Sequence, residues 1–256
     1  MNRILRWVLM GVMLMARGLP DDSDVVKQYD IYALQDMAEL AVRLGSPVSY
    51  DRYGDILILE DFERGLNAWT KTLAGAAAEA TLTSDRVYDG KLACYMNSGT
   101  GATPEAQIDK YFPPITLQKM GLQMAFSVGF NPTELRFALT RGDGNFTHQF
   151  NVKYEHGTGK LYYREGFAVW TEFAEPGVLF DGAGNYHHCK LVVDLEKDEF
   201  SVFYLDNVAY GMVGCTPYTF GAVVSPFTGA MFAVKGANLL AGDVWIDNVF
   251  VTTNER

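Results

Sequence analysis

Carboxylates, histidines and ring-bearing side chains are the residues here whose types could do chemistry, and their spacing decides which chemistry. Acids crowd at two places, Glu60-Asp61-Phe62-Glu63 and the group Asp194, Glu196, Asp198 and Glu199. Two carboxyls at alternate positions of a strand share a face, and about 5 Å between them would suit a nucleophile and an acid. A general acid and base must also share a pocket, and both clusters lie where turn residues gather, so they read as solvated turns. The four histidines show no metal spacing: His187 falls on an apolar strand face, His188 points the other way, and His148 and His156 fall on or beside one strand. Cys94, Cys189 and Cys215 are odd in number and widely spaced, which suits small buried hydrophobes rather than a disulfide framework or zinc knuckle. No P-loop, nucleophile elbow or dinucleotide glycine signature appears. The expectation is a chain with no catalytic residues that is not an enzyme.

Aromatic rings offer a different chemistry, stacking on sugars. Tyr162, Tyr163, Phe167 and Trp170 cluster in KLYYREGFAVW, where alternation along a strand turns some of them outward in either register. Tyr162, Tyr163 and Trp170 are the candidate glycan-binding residues. The competing reading is core, since the chain has 14 Tyr, 16 Phe and 4 Trp. Arg141-Gly142-Asp143 and Asn145-Phe146-Thr147 match an integrin tripeptide and a glycosylation acceptor, but both lie in one turn, RGDGNFT, whose composition a hairpin explains.

The elements that must position these residues have a period of two from residue 56 onward. Short runs rich in β-branched and aromatic residues, separated by Gly, Asn and Asp, extend from Ile56–Asp61 to Val244–Val251. They predict two antiparallel sheets packed face to face. ILILEDFERGLNAW near the start of this region and GDVWIDNVFVTT at its end share one pattern, and their strands are expected to be neighbours in one sheet. No internal repeat suggests a propeller or β-helix. The stretch Val213 to Phe227 reads as a long apolar loop.

Upstream the composition changes, giving a division into an arm over 1–55 and a sandwich over 56–256. MNRILRWVLMGVMLMARGLP is basic and apolar, a layout shared by signal peptides and by helices that dock into a partner. DIYALQDMAELAVRLG reads as an amphipathic helix stopped by Gly45 and Ser46-Pro47, and VSYDRYGDILIL as a small hairpin. Trp7, Leu9, Met13, Leu34 and Leu40 are the expected docking residues. With 21 Lys and Arg against 31 Asp and Glu, the net charge is −10, which disfavours nucleic acid as a partner.

YHHCKLVVDLEKDEFSVFYLDNVAYGM resembles the paired strands of concanavalin-A-like jelly rolls. LEDFERGLNAW and VWIDNVFV resemble the first and last strands of carbohydrate-binding modules and laminin-G-like domains. The resemblance covers residues 56 to 253 and implies an all-β antiparallel jelly-roll sandwich, here with a short helical arm. The glucanases of this fold carry Glu-x-Asp-x-x-Glu, a string that is absent. In the binding modules the Glu of the Phe-Glu pair and the Asp of the final strand meet at a structural calcium, which puts Glu63 and Asp247 in that role, with no other cofactor implied. Two acids fall short of the six to eight oxygens calcium takes, and the competing reading is a hairpin acid and an Asp bonded to a turn.

An arm followed by a jelly roll also resembles decoration and accessory structural proteins of tailed-phage virions. That resemblance implies a structural protein on a virion surface, docked by its arm to other chains of the assembly, a major capsid protein or copies of itself. The alternative is a secreted or surface-anchored glycan-binding module; a jelly-roll glycoside hydrolase ranks third.

Overall fold

The computed structural model describes residues 54–115, 118–182, 184–221, 225–237 and 240–255. The apolar segment, the amphipathic helix and the docking residues Trp7, Leu9, Met13, Leu34 and Leu40 lie outside them, as does the small hairpin through Tyr53. In chain order the strands are β1 (Asp55–Glu60), β2 (Thr70–Ala76), β3 (Glu79–Thr83), β4 (Ala93–Asn97), β5 (Thr100–Phe112), β6 (Lys119–Val128), β7 (Pro132–Gly142) and β8 (Thr147–Glu155). They continue as β9 (Lys160–Gly166), β10 (Val169–Ala174), β11 (His187–Asp194), β12 (Glu199–Leu205), β13 (Val208–Gly211), β14 (Tyr218–Phe220), β15 (Phe227–Gly236) and β16 (Asp243–Thr253).

Two antiparallel sheets form the sandwich that the alternation predicts. One runs β13-β12-β11-β6-β16-β4-β3, with β1 also on β16; the other runs β10-β9-β8-β7-β15-β5-β2, with β14 also on β8. The first and last strands are neighbours as expected, with Asp55 opposite Thr253 and Leu59 opposite Phe250. Alternate residues supply the core. Leu122, Met124 and Phe126 of β6 and Leu191 and Val193 of β11 face Phe137, Phe150, Val152 and Phe232 of the other sheet. His187 joins this interior, with Nδ1 3.0 Å from Asp206 Oδ2 and Nε2 3.1 Å from the Phe180 carbonyl. Burial opposes its charge, but the Asp206 carboxylate and that carbonyl outweigh burial and hold its pKa above the usual value.

Three strands depart from the sequence reading. β3, β13 and β14 are short and form where a neighbour's edge is free rather than where local propensity is high. β14 lies inside the stretch expected as loop, and pairs with Thr147–Gln149 of β8, while β9 takes Val152–Glu155 of the same strand.

The string LEDFERGLNAW builds a joint between the sheets. Phe62 takes a positive φ of 59° directly after β1. Glu60 then accepts the Phe62 N–H at 3.3 Å and the Trp69 indole N–H at 3.1 Å. Lys110 of β5, in the opposite sheet, donates to the same carboxylate at 2.8 Å and lies 5.3 Å from the Trp69 ring centroid. Lys110 stays part-exposed, so removing the carboxylate costs between about 1 kcal/mol, as for an exposed pair, and about 3–5 kcal/mol, as for a buried one. Glu60→Leu is therefore expected to lower unfolding free energy by about that much in urea titration; a loss below about 1 kcal/mol, the range of an exposed pair, would show that the joint bears no load.

Candidate functional site

Period two sends half of each strand away from the core, and on the sheet containing β8 these outward residues form registered rows. In one row Gln107, Ala233, Arg136, Lys153, Tyr162 and Glu172 follow each other across β5, β15, β7, β8, β9 and β10. In the next, Asp109, Met231, Ala138 and Asn151 cross the same strands. The β8–β9 ladder ends at Val152 and Tyr163, beyond which Arg164 bonds Gln149 of β8 and pairs with Trp170 of β10. A third row holds Tyr111, Gly229, Thr140, Gln149 and Tyr218.

The middle of this outward face is sheltered from solvent. Ala138, Met231 and Ala233 form a second apolar cluster, separate from the core, with Ala138 0% exposed. Asn151 beside it is 1% exposed. The small residues lie between longer side chains that shield them from solvent, which gives the face the alternation of low and high positions of a trough. Extended chains bind in such shapes when a few polar groups and rings line them.

Cations brace the rings of the trough. Lys153 Nζ lies 4.6 Å from the Tyr162 centroid and 5.2 Å from that of Trp170, while the Arg136 guanidinium is 5.4 Å from Trp170. Arg136 also pairs with Glu134 at 2.7 Å and Glu105 at 3.6 Å, and Lys235 with Glu105 at 3.4 Å. The Glu134 carboxyl is held below its usual pKa because Arg136, Lys153 and Lys235 together outweigh its burial. At the far side burial raises the Asp109 carboxyl, against the hydrogen bond it receives from Gln107 at 2.8 Å.

Of the candidate sugar-stacking residues, Tyr162 and Trp170 stand half-buried on this face. Tyr163 does not join them: it points inward, with its ring 5.6 Å from Phe200 and 6.4 Å from Phe173. Adjacent strand residues must face opposite ways, so Tyr162 and Tyr163 could not both contribute. The sequence reading missed Arg136, Gln149, Asn151, Lys153 and Arg164. Their outward parity within the expected strands was the available clue.

Glu63 and Asp247 grip one segment from two directions. Glu63 Oε1 accepts the N–H groups of Lys91 and Leu92, the latter at 2.8 Å. Asp247 Oδ2 accepts those of Tyr88 at 3.0 Å and Asp89 at 3.2 Å, and Oδ1 accepts that of Asn248 at 2.8 Å. Strand order explains the position: β4 pairs with β16 up to Ile246 and β1 takes over at Val249, which leaves Asp247 and Asn248 between them. No group of three or more His, Cys, Asp or Glu that could hold a metal occurs among the described residues, and the carboxylate oxygens named here face N–H donors. That donor set fits a clamp on the backbone better than a calcium shell.

A cavity of about 470 Å³ lies where β7 begins and β8 ends, lined in part by Glu134 and Glu155. His156 lines it; burial lowers its pKa, and its Nδ1 has no hydrogen-bond partner among the described residues.

No family model and no curated protein matches this chain. Its fold has solved counterparts. An endo-β-1,4-glucuronan lyase from the fungus Trichoderma reesei has a TM-score of 0.53 at 16% identity, over 78% of this chain and 96% of that one. A carbohydrate esterase from the Shiga toxin-encoding bacteriophage phi24B gives 0.52 at 12% identity, over 79% and 100%. A protein of unknown function with a galectin-like fold from Bacillus subtilis gives 0.50 at 12%, over 79% and 98%. At these identities the likeness establishes the jelly-roll β-sandwich. It also corrects the expectation that the chain is not an enzyme: a lyase and an esterase are built on this sandwich, so the missing glucanase string does not rule out catalysis.

Burial pushes the Asp247 carboxyl up to about 6, against three backbone N–H donors, while the Lys91 and Leu92 N–H groups hold Glu63 below its usual value. A carboxyl whose pKa rises on folding favours the protonated fold. Its contribution is complete below the unfolded value of 3.8 and disappears as pH rises through about 6. Between pH 4 and pH 8, urea unfolding should therefore show Asp247→Asn gaining about 1–3 kcal/mol relative to the unsubstituted protein. A bound divalent cation would hold the carboxylate ionised and reverse that trend.

Proposed function

We propose that this protein recognises a polysaccharide, held in the trough on the outward face of the β8 sheet. The observation that carries the reading is the buried apolar floor of Ala138, Met231 and Ala233, with Trp170 and Tyr162 rising beside it among Arg136, Lys153, Gln149 and Asn151. Aromatic faces suit the C–H faces of sugar rings, and the flanking amides and cations suit their hydroxyls. The lyase and the esterase that share the fold are both named for carbohydrate chemistry, which supports the same direction. Such a protein would work secreted or displayed at a surface.

The virion-surface reading draws on the arm, outside the described residues, and on the phage origin of that esterase. A structural calcium at Glu63 and Asp247 is compatible with glycan recognition but carries none of it.

Trp170→Ala and Tyr162→Ala test the proposal. Both side chains are half-buried on the outward face, so each variant should stay folded while losing about 10- to 100-fold in affinity for a bound glycan, as aromatic anchors do. Calorimetric titration with neutral and acidic oligosaccharides measures this, and reducing-end release from the same mixtures reads turnover. Unchanged affinity in both variants would move the site elsewhere.

A further inference from the structure

Charge on the trough is unevenly matched. Arg136, Lys153, Lys160 and Lys235 each have a carboxylate within 3.7 Å. Arg164 has none among the described residues. Its guanidinium is nevertheless fixed: Nη1 donates to Gln149 Oε1 at 2.6 Å, Nε donates to the Gly166 carbonyl at 3.3 Å, and the plane lies 4.6 Å from the Tyr218 centroid. Nη2 has no acceptor among the described residues. Burial draws its pKa down, as expected of a cation set in a sheltered place without a counter-ion. A fixed, partly desolvated guanidinium with one free edge is suited to a planar carboxylate.

Asn151, two residues from Gln149 on the same face of β8, supplies the second half of the site. Its Oδ1 is buried and has no hydrogen-bond partner among the described residues. A buried acceptor left unmatched costs roughly 1–3 kcal/mol, the equivalent of about 10- to 100-fold in binding, and a ligand hydroxyl would recover it. Arg164 therefore wants an acceptor, Asn151 wants a donor, and Trp170 on the other side of Arg164 offers an indole face.

We infer that Arg164 and Asn151 form a subsite for one uronic acid unit of the glycan, the carboxylate on Arg164 and a ring hydroxyl on Asn151, with the sugar seated against Trp170. The inference rests on the glycan reading above and narrows it to an acidic polysaccharide. Polarity sets the direction: Asp109, at the other end of the same row and close to the like charge of Glu105, repels a second carboxylate. The acidic unit belongs at the β9 and β10 end, with uncharged ring faces and hydroxyls over the Ala138 floor.

The test is calorimetric titration of the full chain, at about 0.1 M salt to limit long-range attraction, with a glucuronate oligosaccharide, its carboxyl-reduced glucose counterpart and a sulfated glucose oligosaccharide. The acidic form should bind about 10- to 100-fold tighter than the reduced one, the ratio expected for a charge-assisted hydrogen bond. Arg164→Gln should abolish that preference while keeping affinity for the reduced form, and Asn151→Ala should weaken both forms together. Arg164→Lys, which keeps the charge without the fork, should recover only part of the preference, and circular dichroism checks that each variant folds. Equal wild-type affinity for acidic and reduced forms overturns this inference and leaves the glycan reading standing. Failure to bind any of the three oligosaccharides overturns both. A preference for sulfate, or a uronate preference that survives Arg164→Gln, overturns the subsite.

Discussion

Closure of one sheet by the last strand is the constraint on which the rest depends. β16 lies inside its sheet, with β6 along one edge and β4 followed by β1 along the other, and Val244 through Thr253 are buried. A central strand carries twice the pairing of an edge strand and leaves no unpaired ladder for a neighbour to join. Its two partners on one edge, β4 and β1, come from opposite sides of the LEDFERGLNAW turn. The handover from β4 to β1 frees Asp247 from the ladder and lets it hold the Tyr88–Asp89 backbone, while Glu63 holds the same segment two residues further on.

That clamp gives the two sheets different outward faces. The segment held by Glu63 and Asp247 lies against the β16 sheet, where Arg86 sits 4.0 Å from the Trp245 ring centroid and Tyr88 4.9 Å from that of His188. Lys190, 1% exposed on that face, pairs with Glu255 at 2.9 Å. The β8 sheet has no such cover among the described residues except its own long side chains. Ala138 and Asn151 on it are nonetheless buried. Rigid strands there place each side chain to within a register step.

The sequence made the architecture legible because period-two alternation is a local property that the core enforces. It paired the ends correctly, since an apolar run broken by acids at both termini of one sandwich has few other destinations. Tyr162 and Trp170 were visible as rings on a hairpin; which of Tyr162 and Tyr163 faces outward depends on register, a tertiary fact. Asn151 and Arg164 were not visible as a pair, because they lie on different strands and nothing local marks an outward residue as buried. β14 escaped notice for the same reason: three residues become a strand only because β8 outruns β9. The likeness to a lyase and an esterase lies in the backbone alone, at identities too low for any motif to announce it.

A crystal structure of the protein with an acidic oligosaccharide bound tests the central claim most directly. The account predicts a sugar chain crossing the strands of the β8 sheet, with a ring against Trp170, a carboxylate on Arg164, a hydroxyl on Asn151 and the remaining units over Ala138 and Ala233. A chain lodged against the β16 sheet, or confined to the cavity beside His156, would contradict it.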